Sequence, residues 1–481
     1  MNSDVEALLG RLDELADRLA DLPPATIRGR VAGVSGLGVE LAGLEQHVAI
    51  GDRISLMPRD GTAISAEIVG FRAGRAQAMA YGPLDGLGPG SIASIGFGAR
   101  HALRAGQLAV CERWLGRVID PLGRPMDGKG PLPRGAKPRP VRAAPPEATQ
   151  RARLGPRLDL GIRVLNAFTT CREGQRLGLF AGSGVGKSTL LSMLARHTAC
   201  DVAVISLVGE RGREVREFIE DDLGAAGLAR SVVVIATSDT PPLMRREAAY
   251  AAMAVAEHFR DQGKSVLLMM DSVTRFCLAL REIGLSAGEP PATRGYPPSV
   301  FAELPRLLER AGPGPLRADG PAGSITALFT VLVEGDDHNE PVADAVRGIL
   351  DGHVVMDRRI GEQGRYPAVD VLRSLSRSVP GCNHPEENTL MRRVRAILAT
   401  HADVADMIRL GAYRSGSDPA VDEAIRLVPR IEAILSQGRE DRTSIEESFA
   451  ALRAIVSEQV AGGPTGTPTG APTGTKAGVA A

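Results

Sequence analysis

The chain has 481 residues, 43% of them apolar, a length that exceeds one ordinary core and implies roughly two or three domains. Its 57 basic residues balance 57 acidic ones and aromatics make up only 3%, so it lacks both the positive field and the stacking platforms of a nucleic-acid binder. Five scattered cysteines (Cys111, Cys171, Cys200, Cys277, Cys382) without metal-ligand spacing suit a reduced cytosolic setting, no signal peptide is expected, and the longest apolar runs, such as VLLMM at 266–270, are too short for a membrane span.

From the N-terminus, Val5, Leu8, Leu12, Leu15, Leu19 and Leu22 recur at spacings of three and four, the stripe of a short amphipathic helix over 1–24 that Pro23-Pro24 stops. Six acids against two arginines in this stretch oppose anionic lipid, so the helix either docks on its own domain or binds a partner. Residues 25–98 alternate short Val/Ile/Leu stretches with glycine pairs (IRGRVAGVSGLGVEL, VAIGDRISLM, TAISAEIVGF), which predicts a small β-barrel or sandwich. Residues 99–150, dominated by a Pro/Gly/Arg/Lys-rich run at 121–147, read as an extended connector.

Over 151–380 the rhythm changes. Apolar runs at 176–180, 202–208, 231–237, 265–270 and 324–333 are mostly separated by helical stretches such as REAAYAAMAVAEHFRDQ, which predicts a mostly parallel sheet covered on both faces. The first run leads into AGSGVGKST at 181–189: Ala181, Gly182, Ser183, Gly184, Val185, Gly186, Lys187, Ser188 and Thr189. Strand, glycine-rich bend and helix form the context of a phosphate-binding loop, whose backbone N–H groups turn inward at a helix N-terminus. Lys187 is then placed for the β- and γ-phosphates of ATP and the Ser188 hydroxyl for Mg²⁺.

Two further strand ends are candidates for the chemistry. SVLLMMD at 265–271 ends in Asp271, placed to hold Mg²⁺ through water at the carboxyl edge of the sheet. VISLVGERGRE at 204–214 runs into Glu210 and Arg211, and a carboxylate there can orient and polarise an attacking water. GPGPLRADGPAGS at 312–324 reads as a flexible loop, and YPAVDVLRSLSR at 366–377 places Arg373 and Arg377 after the last core strand. Residues 381–460 read as a helical domain, with Asp418-Pro419 as a helix start and Ser444 with Glu447 as a capping box. The final residues, 461–481, carry three Pro-Thr-Gly triplets and read as disordered.

The segments AGSGVGKST, GERGREVREF and MDSVTRF resemble the catalytic subunit of rotary ATPases, whose core is a RecA-like ATPase domain. LSAGEPPATRGYPPSVFAELPRLLERAG at 285–312, VEGDDHNEPVADAVRGILDGH at 333–353 and GAYRSGSDPAVDEAI at 411–425 are closer still to the flagellum-specific and type III secretion export ATPases. The resemblance is dense from about 155 to 425 and looser in the N-terminal barrel. It implies an α/β fold: a RecA-like P-loop core with a mostly parallel sheet, a small N-terminal β-barrel and a C-terminal helical domain.

It also implies a homohexameric ring with active sites between subunits. By position, Lys187 and Ser188 hold phosphate and Mg²⁺, Glu210 is the general base, Asp271 the Mg²⁺-associated aspartate and Arg275 a basic contact near the phosphates. Arg377 falls at the arginine finger offered to the neighbouring subunit, with Arg373 as runner-up. The N-terminal helix would bind a stator-like regulatory protein. The ring would sit at the cytoplasmic face of the inner membrane under the export gate, where turnover helps release export substrates from chaperones and unfold them.

Two departures from the rotary subunit favour the export branch: an adenine-stacking aromatic is missing near Thr389, which implies loose base specificity, and GAYRSGSDPAVDEAI replaces an acidic helix-turn segment. ATRGYPPSVFAELPRLLERAGPG and VLRSLSR lean towards the flagellar type. The alternatives are an injectisome ATPase, a proton-linked rotary catalytic subunit, a ring-shaped RNA translocase, which balanced charge and scarce aromatics disfavour, and a non-hydrolysing nucleotide-binding subunit.

Overall fold

The computed structural model of the chain describes residues 25–59, 61–97, 106–182, 184–317, 320–333 and 340–457. The helix expected over 1–24 and the tail expected over 461–481 lie outside the described residues.

The first six strands are β1 (Ala25–Ser35), β2 (Gly38–Ala42), β3 (Arg53–Met57), β4 (Ile64–Arg72), β5 (Arg75–Ala80) and β6 (Ile92–Phe97). They close into an antiparallel barrel in the order β1-β2-β5-β4-β3-β6. Val39 with Leu41, Ile54 with Leu56, Ala66 with Ile68, Ala76 with Ala78, and Ala93 with Ile95 are buried pairs two residues apart, so one face of each of these strands fills the interior. Of barrel and sandwich, the barrel is what forms, and closure leaves no unpaired sheet edge.

The central sheet contains β7 (Arg117–Ile119), β8 (Arg176–Ala181), β9 (Val202–Glu210), β10 (Ser231–Thr237), β11 (Ser265–Asp271), β12 (Ser324–Leu332), β13 (Gly352–Met356) and β14 (Val369–Ser376). Their order is β14-β13-β8-β12-β11-β9-β10-β7, and the short Gly312–Pro313 strand pairs beside β12. Every pairing along that order is parallel except β13 with β14. In β9, Val202 and Val204 face one core and Ile205 and Leu207 the other; β10 and β11 divide their residues in the same way. Burial on both faces is why these strands read as unbroken apolar runs.

Helices α1 (Lys187–His197), α2 (Pro242–Arg260), α3 (Val273–Ala287), α4 (Pro298–Leu308) and α5 (Pro341–Ile349) connect the strands. Helix α2 packs across β9, β10 and β11 and is buried along most of its length. Three C-terminal helices, α6 (Pro385–Arg409), α7 (Pro419–Leu435) and α8 (Ile445–Ser457), extend one of the two sheet cores through Leu390, Val394, Leu427, Ile431, Phe449 and Leu452. Proline, which has no N–H to lose, opens α2, α4, α5, α6 and α7. Asp418 caps α7 by accepting from the Ala420 N–H at 2.8 Å. Before α8, Ser444 and Glu447 exchange backbone-to-side-chain bonds of 2.8 and 3.2 Å.

Two stretches differ from the sequence expectation. Residues 106–150 carry little regular structure, yet they are no free-standing connector: β7 supplies an edge strand to the sheet, and Trp114 is buried with its Nε1 donating to the Pro133 carbonyl at 2.8 Å. The Val141 carbonyl accepts at 2.6 Å from Arg310, which is buried and forks onto Glu257 at 2.8 and 2.7 Å. These anchors are single residues without period, so composition conceals them. The second difference is the segment after 366, which does not follow the last core strand but provides it: β14 is the antiparallel edge. Its side chains at 372, 373 and 375 are exposed, and the apolar signal is correspondingly weak.

Candidate active site

Strand β8 ends at Ala181, which is buried and whose carbonyl accepts from the Val333 N–H at 3.1 Å. The bend then passes through Gly182, Gly184, Val185 and Gly186 into α1; Ser183 lies outside the described residues. Gly186 stands at the N-cap with φ 84°, a conformation that calls for glycine, and a Cβ there would lie 3.4 Å from the Tyr366 ring, in van der Waals contact with it. As a glycine it offers no side chain to cap α1, whose first N–H groups are suited to bind an anion. A cavity of about 760 Å³ opens at this bend, lined among others by Lys187, Ser188, Thr189, Glu210, Arg211 and Arg275.

Three strand ends bring the charges together. Lys187 Nζ bonds to Asp271 Oδ1 and lies 3.5 Å from Glu210 Oε1. Arg275 Nη1 lies 2.6 Å from that same Glu210 oxygen and donates to the Gly209 carbonyl at 2.7 Å. Thr330, on β12, donates to Asp271 Oδ1 at 2.7 Å. Asp271, Lys187, Glu210 and Arg275 thus alternate in sign with side chains 5%, 12%, 11% and 25% exposed, each charge lying against an opposite one.

Glu210 owes its direction to the residue before it. The β9–β10 ladder shifts register between Val208 and Glu210, and Gly209, at φ 70°, is the extra residue of this bulge. A Cβ on Gly209 would sit 2.9 Å from Arg275 Cδ. Glycine therefore re-aims Glu210 and at the same time leaves room for the arginine that contacts it.

The remaining sequence candidates divide. Ser188 and Thr189 line the cavity beside Lys187. Arg211 also lines it, but its side chain is 77% exposed and pairs with Glu214 at 3.2 Å, outside the Lys187–Glu210–Asp271–Arg275 group. Arg373 pairs with Asp357 at 3.6 Å. Arg377 follows β14, where Ser376 pairs with Gly352, the first residue of β13; β13 in turn runs parallel to β8. Arg377 therefore sits at the end of the strands opposite the phosphate loop, about 15–20 Å away at the usual rise per residue. Its side chain is exposed and forms no ion pair or hydrogen bond among the described residues.

Two contributions escape sequence reading. Thr330 orients Asp271 from a strand that shows no motif. Tyr366 lies beside Gly186, so an aromatic does flank the loop, whereas Thr389 is exposed on α6, where its hydroxyl donates to the Pro385 carbonyl and accepts from Arg392. The YPAVD stretch that holds Tyr366 carries the signal, but the arginines that follow it at 373 and 377 draw attention first.

Known proteins resemble this chain in sequence and in fold. Residues 161–376 match the ATP synthase alpha/beta family, nucleotide-binding domain, and residues 384–454 match the T3SS EscN ATPase C-terminal domain. The flagellum-specific ATP synthase of Caulobacter vibrioides is 55% identical over 91% of this chain and 98% of its own. A type 3 secretion system ATPase of Xanthomonas euvesicatoria is 46% identical over 92% and 97%. The assembled ATPase EscN of enteropathogenic E. coli superposes with a TM-score of 0.81 at 38% identity, covering 89% of this chain and all of that one. EscN in complex with its central stalk EscO gives 0.78 at 37%, with the same coverage. Phosphate loop, carboxylate-bearing strand ends and this degree of identity along nearly the whole length agree: the chain belongs to the family of flagellum-specific and type III secretion export ATPases.

Proposed function

We propose that the chain hydrolyses ATP as a homohexameric ring energising flagellar protein export, with each active site completed by the neighbouring subunit. The bend at 182–186 and Lys187 hold the phosphates. Ser188 and, through water, Asp271 would hold Mg²⁺, since both offer the hard oxygen donors that this cation prefers. When bound, the cation neutralises charge on the phosphates. Glu210 orients the attacking water and accepts its proton, and Arg275 holds Glu210 in place. Arg211 at the cavity rim contacts the nucleotide from its exposed position.

Arg377 carries the ring. At the far end of the strands from its own phosphate loop, it has no route to its own cavity, and it stands exposed at a sheet edge where a second copy can receive it. The assembled EscN relative and its stalk complex support a ring of copies around a central partner. The segment 1–24, expected to be helical from its sequence, serves as the docking point of a stator-like regulator, and the ring works at the cytoplasmic face of the inner membrane on substrate–chaperone complexes below the export gate. Among the described residues no helix is long and apolar enough to cross a membrane, so that placement depends on partners.

The test is ATPase rate per subunit against protein concentration with Mg²⁺. The rate climbs to a plateau as rings form. A rate per subunit independent of dilution contradicts completion in trans, and a negligible rate throughout points to an obligatory partner subunit.

A further inference from the structure

An exposed arginine reaches a neighbouring site in one direction only if its backbone is held still, and the hydrogen bonds around Arg377 converge on a single buried side chain. Gln175 is fully buried and closes the turn that leads into β8. Its amide nitrogen donates to the Asp351 carbonyl at 3.0 Å and to the Ser376 hydroxyl at 2.9 Å. Its amide oxygen accepts from the Arg172 N–H at 3.0 Å and from the Ser378 hydroxyl at 2.9 Å. Both donor hydrogens and both acceptor lone pairs are therefore used. The two backbone partners fix the orientation of the amide, because a carbonyl only accepts and an N–H only donates.

Three of these four bonds surround Arg377. Ser376 and Ser378 are its chain neighbours, and the Asp351 carbonyl also accepts from the Arg377 N–H at 2.9 Å. The Ser376 hydroxyl passes its own hydrogen to the Thr170 carbonyl at 2.9 Å. Asp351 is fixed in turn by Arg176, whose backbone N–H and Nε both lie 3.0 Å from its Oδ2. The side chains of Ser374 and Ser376 are buried, while those of Leu375 and Arg377 face outwards. A buried amide is costly unless every polar atom is satisfied, and here the satisfaction is spent on the backbone that carries an exposed cation.

We infer that Gln175 is a positioning residue for the arginine that each subunit offers to the next. The inference rests on the reading of Arg377 as a residue acting in the neighbour's site and adds what aims it. Gln175 lies at the opposite end of β8 from its own phosphate loop, so it acts through Arg377 and not on its own nucleotide. Residues 351, 376 and 378 form a cradle around the amide, and a displacement of about 1 Å in that cradle is enough to lose roughly 10²-fold in rate at the reacting centre. Strand β8 thus begins beside the group that aims the arginine given away and ends at the loop that holds the subunit's own phosphates.

The experiment mixes variant subunits and follows ATP turnover, with Mg-ATP binding measured by calorimetry. Gln175→Met keeps the volume of the side chain and removes its hydrogen bonds. Its turnover should fall about 10²-fold while its affinity for Mg-ATP stays near wild type. Mixed with Glu210→Gln, which supplies a correctly held Arg377, it should regain turnover. Mixed with Arg377→Ala, which supplies none, it should stay inactive. Recovery with Arg377→Ala alone places the fault at the phosphate loop and overturns the proposal. Recovery with neither partner, in a protein that melts like wild type, overturns it too, as does wild-type turnover in Gln175→Met.

Should Gln175→Met fail to fold, Ser378→Ala decides, since it removes one hydroxyl from a half-buried position. It should lower turnover about fivefold in otherwise wild-type protein and have no effect when added to Arg377→Ala, where the group it helps to aim is gone. An equal loss in both backgrounds, or none in either, overturns the proposal. The control mixture of Glu210→Gln with Arg377→Ala tests the underlying reading. If that pair stays inactive, sites shared between subunits are overturned; if it recovers beside a failed Gln175→Met mixture, only the role of Gln175 is.

Discussion

Glu210 stands where a glycine bulge interrupts the β9–β10 ladder, held 2.6 Å from Arg275 and 3.5 Å from Lys187. Glu210→Gln keeps the size and the hydrogen-bonding shape but not the basicity. It should cut turnover by ~10²–10⁴-fold while ATP binding, measured by calorimetry, persists. Lys187→Ala should lose both. Gly209→Ala tests the bulge: a side chain at φ 70° costs about 1–2 kcal/mol and collides with Arg275, so turnover should fall with nucleotide affinity little changed. The residues at this centre are unevenly legible in the sequence. Lys187, Ser188, Glu210 and Asp271 show themselves because each follows an apolar run that can only be a buried strand. Arg275 emerges through family resemblance. Thr330 and Tyr366 arrive from distant chain segments, and only folding brings the one to Asp271 and the other to Gly186.

Elements are held together by buried ion pairs at their junctions. Arg310, at the end of α4, and Glu257 of α2 pin the Val141 segment. Arg310→Met leaves buried Glu257 with only the Arg139 guanidinium, 4.0 Å away, and should cost about 3–5 kcal/mol in denaturant unfolding; adding Glu257→Leu should recover much of it. At the barrel junction, Glu67 of β4 accepts from Arg246 of α2 at 2.6 Å, from Tyr81 at 2.5 Å and from Arg142 at 3.1 Å. Burial pushes the Glu67 carboxyl up, but the attraction of Arg246 and Arg142, together with hydrogen bonds from Tyr81 and Arg246, outweighs it and holds the group below the ordinary carboxylate range. Its stabilisation is thus present above the unfolded value of about 4.3 and is lost as pH falls through the lower folded value. The melting-temperature gap between wild type and Glu67→Gln should be largest near neutrality and close on acidification below that point; a gap that widens in acid contradicts the assignment. Strands β9 to β12 are legible because both faces are apolar. β7 and β14 are not, because a three-residue edge strand has no period and an edge strand exposes the side chains that would carry one.

For the molecule as a whole, the decisive feature is the separation of Arg377 from its own phosphate loop. Residues 366–377 show why this separation is hidden in the sequence: motif spacing along a chain says nothing about which end of a sheet a side chain reaches, and only the antiparallel register of β14 against β13 sends Arg377 away. Arg377→Ala should lower turnover about 10³-fold or more while leaving nucleotide affinity near wild type, and equal losses of both would mean a structural role. Arg373→Ala, which breaks only the contact with Asp357, should have the smaller effect.

The most direct measurement mixes two inactive proteins, Glu210→Gln and Arg377→Ala, and follows ATP turnover against their ratio. Each supplies what the other lacks, so a mixed ring contains interfaces with an intact Glu210 on one subunit and an intact Arg377 on the next. Activity absent from either protein alone should appear on mixing and peak near equal proportions. Mixtures as inactive as their components would contradict active sites shared between subunits.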